Sequence, residues 1–469
     1  MQSAYEYWAH ELTSTGVRQQ FRDLGCDLVL VKVLGRNNNS KQQVWLASHL
    51  NELAMLPFGS PRARPGSSTK RSDTGAIFHC DVDFSWIGPT GVTRAPTTKL
   101  VYHPQYPEVR LSGFLQGCPT APSHLMRIED RGKEEGRVLL MGINQDSGAV
   151  YGILVGADAP LAAAMREMHL EKRGILMFWP LKGHVAKDPR RLLLAEICGV
   201  ARGGWFPGQR LTRSGLVPYR ARNGGGYTIE ALLGITANSN AAPDRHGHEI
   251  KQFGVTSLDR PRRTAITLFD IVPDGGEFQR LGAGDFIRAR GHLNPQLRRF
   301  DFAGVHRLGH TPPRTGARLS IEGYDGENLQ ADGSVGIVAN DETVLMSWSF
   351  AKLMDHWGRK HALAAYIPSE NRDVTTAEGT IREYRFGQTV YLGTGTDFTF
   401  FLDALRDGTV RYDPGMHAPA TAGDNTIKVR SLFRISSADL SRLYREFASV
   451  DACTPSLAPE VEDGPAIAA

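Results

Sequence analysis

No stretch of this chain approaches the roughly 20 consecutive apolar residues that cross a bilayer, and its opening, MQSAYEYWAHELTSTGVRQQF, has no basic segment leading into an apolar core. Neither membrane insertion nor secretion is expected, and a cytoplasmic location is. Cysteine is scarce. Cys26, Cys80, Cys118, Cys198 and Cys453 make an odd count of five, and none is spaced as a zinc knuckle or a CxxC redox pair. A fold that needs no disulfide and works in a reducing compartment is the expectation. There is also no GxxxxGK[ST] phosphate loop, no GxSxG nucleophile elbow and no internal repeat, so P-loop NTPases, α/β-hydrolases and solenoids are set aside.

What is present is ordinary globular material: 469 residues, 41% hydrophobic and 22% charged, long enough for two domains that each bury a core. A net charge of +4 and an isoelectric point near 8.7 are compatible with a polyanionic partner without requiring one. The distribution says more than the total. Basic residues gather at Lys32, Arg36 and Lys41, at Arg62, Arg64, Lys70 and Arg71, and again from Arg190 to Arg222. Arginine forks suit phosphate oxygens and guanine edges, although such clusters are as often solvated loop and helix faces.

Two domains are expected along the chain, with residues 1–160 rich in strands. Segments such as CDLVLVKVL, QVWLA, AIFHCDVDFSWI, TKLVYHP and EVRLSGFL carry the β-branched and aromatic content of strands, and RVLLMGINQDSGAVYGILV reads as a hairpin turning at Asp146-Ser147-Gly148. Residues 161–221 read as a helical connector and linker, with helices over Ala159–Arg173 and Pro189–Ala201. A second domain is expected over 222–450, and the Ala/Pro/Glu-rich 451–469 reads as a disordered tail.

The segment RNGGGYTIEALLGITANSNAAPDRHGHEIKQFGV, from Arg222 to Val255, carries the chemistry. Glu249, Ile250 and Lys251 lie in an alternating run, so a strand there puts Glu249 and Lys251 on one face. Asp244 follows Pro243 at a turn, and Glu230 sits in TIEALLGI, a run with helical spacing that offers a further carboxylate. Two carboxylates and an ammonium suit phosphodiester hydrolysis. Magnesium takes hard oxygen ligands, with Asp244, Glu249 and the carbonyl of Ile250 as candidates, and Lys251 orients water or compensates charge at the phosphorus. The spacing alone is weak, since an Asp-x4-Glu-x-Lys string arises by chance in roughly one chain in ten of this size. His246 and His248 offer a rival, a zinc pair, but lack an evident third ligand.

The whole string, however, resembles the active-site segment of the MvaI/BcnI restriction endonucleases and of the mismatch-repair nicking enzyme MutH, within the PD-(D/E)xK nuclease superfamily. The parts that match are Gly224, Gly225 and Gly226, then Glu230 with Leu233 and Gly234, then Asn238 to Asn240, then Pro243, Asp244, Glu249 and Lys251. The resemblance implies that Asp244 and Glu249 are metal ligands, that Lys251 is the catalytic lysine, that Glu230 is an additional catalytic carboxylate, and that Arg222 lies near the scissile phosphate. Downstream, ITLFD, SWSFAKLMDHWGRKHALAAYI, GTGTDFTFFLDALRDGTVRYDPG and KVRSLFRISSADLSRLY are similar to later parts of the same family. In the last of these Arg430, expected to contact DNA, stands where the family tends to place a His-Gly pair. At the other end of the chain, KVLGRNNNSKQQVWLASHL resembles the recognition loop of the N-terminal DNA-binding pseudobarrel of EcoRII and UbaLAI, with Arg36, Asn38 and Lys41 as groove contacts.

The expectation is thus a two-domain α+β/α/β protein, a strand-rich, pseudobarrel-like N-terminal domain followed by a PD-(D/E)xK mixed sheet flanked by helices. The expected activity is that of a type II restriction endonuclease, dependent on Mg2+ and cutting both strands of a short, C·G-rich duplex DNA site to leave 5′-phosphates. By the same resemblance it acts as a monomer and is paired with a DNA methyltransferase. A MutH-like nicking repair enzyme and a non-catalytic DNA-binding regulator with a relic nuclease domain are the alternatives.

Overall fold

Strands make up most of the regular structure, and helices lie between them along the chain. The computed structural model describes residues 2–36, 43–64, 76–132, 135–181, 189–236, 244–259, 263–376, 379–420 and 426–454. Contacts separate it into two compact units. One gathers 1–186, 265–363 and 394–446, and the other 187–264, 364–393 and 447–469. These packing units interleave along the chain, whereas the limits expected from sequence at 160 and 222 follow its order.

In the first unit the N-terminal region is rich in strands, as its composition requires. A seven-stranded sheet runs in the order Glu171–Arg173, Leu176–Pro180, Leu28–Leu34, Arg137–Ile143, Val150–Val155, Phe84–Gly88, Gly91–Arg94. Arg137–Ile143 is buried along its whole length, which explains its unbroken apolar run, and Gly148 takes the left-handed φ of 74° that its hairpin loop needs. A five-stranded antiparallel sheet joins Val44–Ala47, Glu108–Ser112, Lys99–His103, Ile77–Asp81 and Arg62–Arg64. The expected pseudobarrel is not seen as such: among the described residues the strands form open sheets. The predicted 76–87 strand splits at Val82-Asp83, and each half joins a different sheet. The expected helix over Ala159–Arg173 stops at Glu167. Residues Glu171–Arg173 instead pair with Leu176–Pro180 across a turn where Gly174 has φ 59°, so the sheet reaches into the segment read as a connector. Asn38 and Lys41 lie outside the described residues.

The second unit holds a mixed sheet with helices on it. Its strands follow the order Trp205–Pro207, Gly379–Phe386, Leu363–Thr376, Thr389–Thr394, Glu446–Asp451, and Glu249–Gly254 pairs in parallel with Leu363–Thr376. The Pro189–Arg202 helix buries Leu193, Leu194, Ile197, Cys198 and Val200. These close a core with Ile229 and Leu233 from the next helical segment and Ile250, Ala365, Ile367 and Phe386 from the sheet. The span read as a linker is structured. Trp205–Pro207 pairs with Gly379–Phe386, and Gln209–Thr212 forms a hairpin with Gly215–Pro218.

Cys198 and Cys453 form a disulfide across a sequence separation of 255 with their Cα atoms 5.0 Å apart. Local spacing could not reveal such a pair, and it corrects the expectation of a fold without disulfides. The other cysteines, Cys26, Cys80 and Cys118, are buried and form no disulfide. The part of the expected tail beyond Thr454 lies outside the described residues, and no described helix is long and apolar enough to cross a membrane.

Candidate active site

The strand Glu249–Gly254 puts alternate side chains on opposite faces. Ile250 enters the core between the Pro189–Arg202 helix and the sheet, which leaves Glu249 and Lys251 together on the other face. Parallel register sets Glu249 beside Ala364 and Lys251 beside Tyr366. The Lys251 Nζ donates to Glu249 Oε1 at 2.6 Å, with the Glu249 side chain only 3% exposed and that of Lys251 19%. A carboxylate taken that far out of water requires a compensating cation.

Asp244 reaches the same strand through a tight turn. Arg245 and His248 exchange both backbone hydrogen bonds, His248 N to Arg245 O at 2.8 Å and Arg245 N to His248 O at 3.0 Å. Between them His246 and Gly247 have φ of 47° and 76°, the signature of a two-residue type I′ turn. Asp244 is thereby folded back, and its Oδ2 accepts the Ile250 N–H at 2.9 Å. The Asp244 carboxylate therefore lies against the peptide that joins Glu249 to Ile250. Asp244, Glu249, Ile250 and Lys251 are brought together at the start of one strand. The segment Ala237–Pro243, with the Asn238 to Asn240 run and Pro243 of the motif, lies outside the described residues.

Glu230 is half-buried in the Gly224–Leu232 helix. That helix ends in a Schellman motif, with Gly234 at φ 72°, Ile235 N on Glu230 O at 2.8 Å and Gly234 N on Ala231 O at 3.1 Å. The three glycines of the motif form its first turn. A Cβ at Gly225 would come within 2.7 Å of Gln252 Oε1 on the active-site strand, and one at Gly224 within 2.9 Å of the Tyr384 hydroxyl. Glycine is needed there so that helix and sheet can close. Arg222 is exposed just before this helix, and its charge helps hold the Asp373 carboxyl down after the larger effect of the Arg382 hydrogen bond. Arg36 is exposed and paired with Glu135 at 2.9 Å, and Arg430 is exposed in the first unit.

The histidines of the turn have partners that the zinc alternative did not foresee. His246 Nε2 meets Glu196 Oε1 at 3.0 Å, and His248, buried, turns its Nδ1 to the His246 carbonyl at 3.0 Å. Glu196, on the Pro189–Arg202 helix, also accepts from Arg245 Nε at 2.9 Å and Nη2 at 2.7 Å. The Arg245 hydrogen bonds hold the Glu196 carboxyl below its ordinary range. Sequence reasoning missed Glu196 because 49 positions separate it from Arg245. Its one local signal is a lone acid at the edge of the buried stripe of LLLAEICGV.

A profile of the MvaI/BcnI restriction endonuclease family matches residues 194–444, more than half of the sequence. The chain belongs to this family. The match carries the enzyme class with it, a site-specific endonuclease of restriction systems whose relatives bind double-stranded DNA and generally use divalent metal ions. Among solved structures the chain is similar to a complex of restriction endonuclease MvaI with its cognate DNA substrate, at 20% identity, covering 56% of this chain and 98% of that one with a TM-score of 0.42. It is also similar to MvaI in the absence of DNA, at 17% identity, covering 57% and 99% with a TM-score of 0.31. No curated protein matches.

The donor set is suited to a hard, hydrated cation. Among the described residues no group of three or more His, Cys, Asp or Glu is arranged to hold a metal, whereas the carboxylates of Asp244 and Glu249 meet at the start of one strand, where the carbonyl of Ile250 is a further hard donor. Magnesium is ordinarily held by one or two carboxylates with water and substrate phosphate completing its shell, and these residues fit that requirement.

Proposed function

We propose that this member of the family is a type II restriction endonuclease that uses Mg2+ to cut both strands of a short, C·G-rich duplex, leaving 5′-phosphate and 3′-hydroxyl ends. The observation that carries the reading is the Asp244 carboxylate held on the Ile250 N–H, directly beside the buried Glu249–Lys251 ion pair. Asp244, Glu249 and the carbonyl of Ile250 would hold the ion. Magnesium, when bound, supplies a polarised water and compensates charge on the phosphoryl oxygens. Lys251, steered by Glu249, places a compact positive charge where negative charge builds up at phosphorus, and holds the attacking water in line. Glu230 would offer a further carboxylate to accept hydrogen bonds from water in the site, and Arg222 a fork for a phosphate near the scissile bond.

In the same reading the N-terminal region, residues 1–160, is a DNA-binding module that uses Arg36, Asn38 and Lys41, joined through 161–221 to a catalytic domain over 222–450 in which Arg430 contacts DNA. The enzyme acts as a cytoplasmic monomer, and a companion methyltransferase protects the host genome. The test is digestion of unmethylated phage or plasmid DNA by the purified protein with magnesium, followed by sequencing of the ends. Discrete fragments with 5′-phosphates at one recurring sequence support the proposal. Nicking of one strand only, or cleavage only with a mismatch-sensing partner, would assign it to MutH-like repair. DNA binding without cleavage would make it a regulator.

A further inference from the structure

A two-residue turn fixes the path of the backbone, but the residue before it needs an anchor if its side chain is to point in one direction. The residues that follow Asp244 have such an anchor. We infer that Glu196 is a positioning residue for Asp244: its carboxylate grips Arg245 and His246 together, and so holds the turn that presents Asp244 to the metal and the substrate. The inference rests on the reading of Asp244 as a metal ligand. Three contacts of 2.9, 2.7 and 3.0 Å join one carboxylate to two consecutive side chains, and the planar fork of arginine on a carboxylate fixes orientation as well as distance.

The platform behind the clamp is rigid. Leu193, Ile197 and Val200 of the same helix are buried in the core, and Cys198, two positions from Glu196, is bonded to Cys453. The clamp adds little to stability, because the Arg245 and Glu196 side chains are 38% and 30% exposed, and pairs so open to solvent contribute little to folding. What it can contribute is direction. Groups that orient metal ligands without touching the metal typically change metal affinity or activity by about 10- to 100-fold when removed.

Glu196→Gln keeps the volume and removes the charge that binds the fork. We expect kcat to fall and the magnesium concentration for half-maximal cleavage to rise, each by about 10-fold or more, while KM for DNA and the melting temperature stay close to wild type. Titration of Mn2+ alone into DNA-free protein, followed by electron paramagnetic resonance, should show weaker binding by a similar factor. Hydrogen exchange at the Ile250 amide, which depends on Asp244 staying in place, should quicken. Arg245→Lys, which keeps a cation but loses the fork, should give the same changes at smaller size and serves if the first variant does not fold. Glu196→Gln combined with Arg245→Lys should be no worse than Glu196→Gln alone.

Unchanged Mn2+ affinity, magnesium midpoint and Ile250 exchange in these variants would overturn the inference, whatever happens to the rate. So would losses in the two single variants that simply add. If wild-type protein neither binds Mn2+ nor cleaves DNA, the assignment of Asp244 as a ligand fails instead. Ile250 exchange then still decides whether Glu196 holds the turn, through faster exchange in the variant or the absence of it.

Discussion

Two ion pairs of similar length lie in very different surroundings. Lys251 and Glu249 meet at 2.6 Å with the carboxylate 3% exposed, whereas Arg36 and Glu135 meet at 2.9 Å with both side chains more than half exposed. The same contrast runs through the units that hold them. The unit with the Glu249–Gly254 strand ties its helix to its C-terminal segment by Cys198–Cys453, while Cys26, Cys80 and Cys118 of the other unit form no disulfide. A charge placed under cover is costly and must have a use or a partner, and a charge in water needs neither. The buried pair is therefore the one to which we assign chemistry. The exposed one marks at most a surface that meets a polyanion.

Reduction is expected to break this contrast most strongly. Chain entropy alone puts the stabilisation by a disulfide closing so long a loop at about 5 kcal/mol, so a reductant, or Cys453→Ser, should lower the denaturation midpoint of the catalytic unit and leave that of the other unit in place. Calorimetry with and without reductant reads this directly. A single transition that does not move would show that the bond is not formed or not needed.

Lys251→Met should follow, by stranding Glu249 in its buried position at a cost of about 3 kcal/mol, measurable as a lower urea midpoint at neutral pH. The double variant Lys251→Met with Glu249→Gln should recover most of that loss without recovering activity. In the other unit a titration effect on the acid side of neutrality belongs to His306, which burial pushes down to about 4. Asp413 raises it in part, and His310 pushes the same way as burial. In the unfolded chain this ring takes up a proton near its ordinary value of about 6.5. Folding is thus unpenalised above that pH and loses about 3 kcal/mol as pH falls from there towards 4. Stability measured against pH for His306→Gln should lack that slope. The smallest effect is expected at the exposed pair. Arg36→Ala should leave the melting temperature unchanged and, if Arg36 meets a phosphate, reduce the slope of log affinity against log salt by about 0.9.

What was legible in the sequence was whatever depends on neighbours along the chain. The alternation around Glu249 and Lys251 showed their shared face, and the helical spacing around Glu230 showed its helix. The strands of the N-terminal region were readable from β-branched and aromatic runs. What was not legible depends on partners far away. Trp205–Pro207 reads as part of a loop because the strand it pairs with begins at Gly379, and the close approach of Gln252 and Tyr384 to Gly225 and Gly224 leaves no local trace. The Cys198–Cys453 bond and the Glu196 clamp escaped for the same reason. The His246-Gly247 turn was visible only as two residues that tolerate positive φ, with nothing to show that it folds Asp244 onto Ile250.

The central claim is that Asp244, Glu249 and Lys251 together break a DNA backbone with magnesium. The most direct test is cleavage of unmethylated plasmid by wild type, Asp244→Ala and Lys251→Ala at equal, folded concentrations. The account predicts magnesium-dependent linearisation by wild type and a loss of about 1,000-fold in either variant, with duplex binding retained. Cleavage by either variant at the wild-type rate would contradict it.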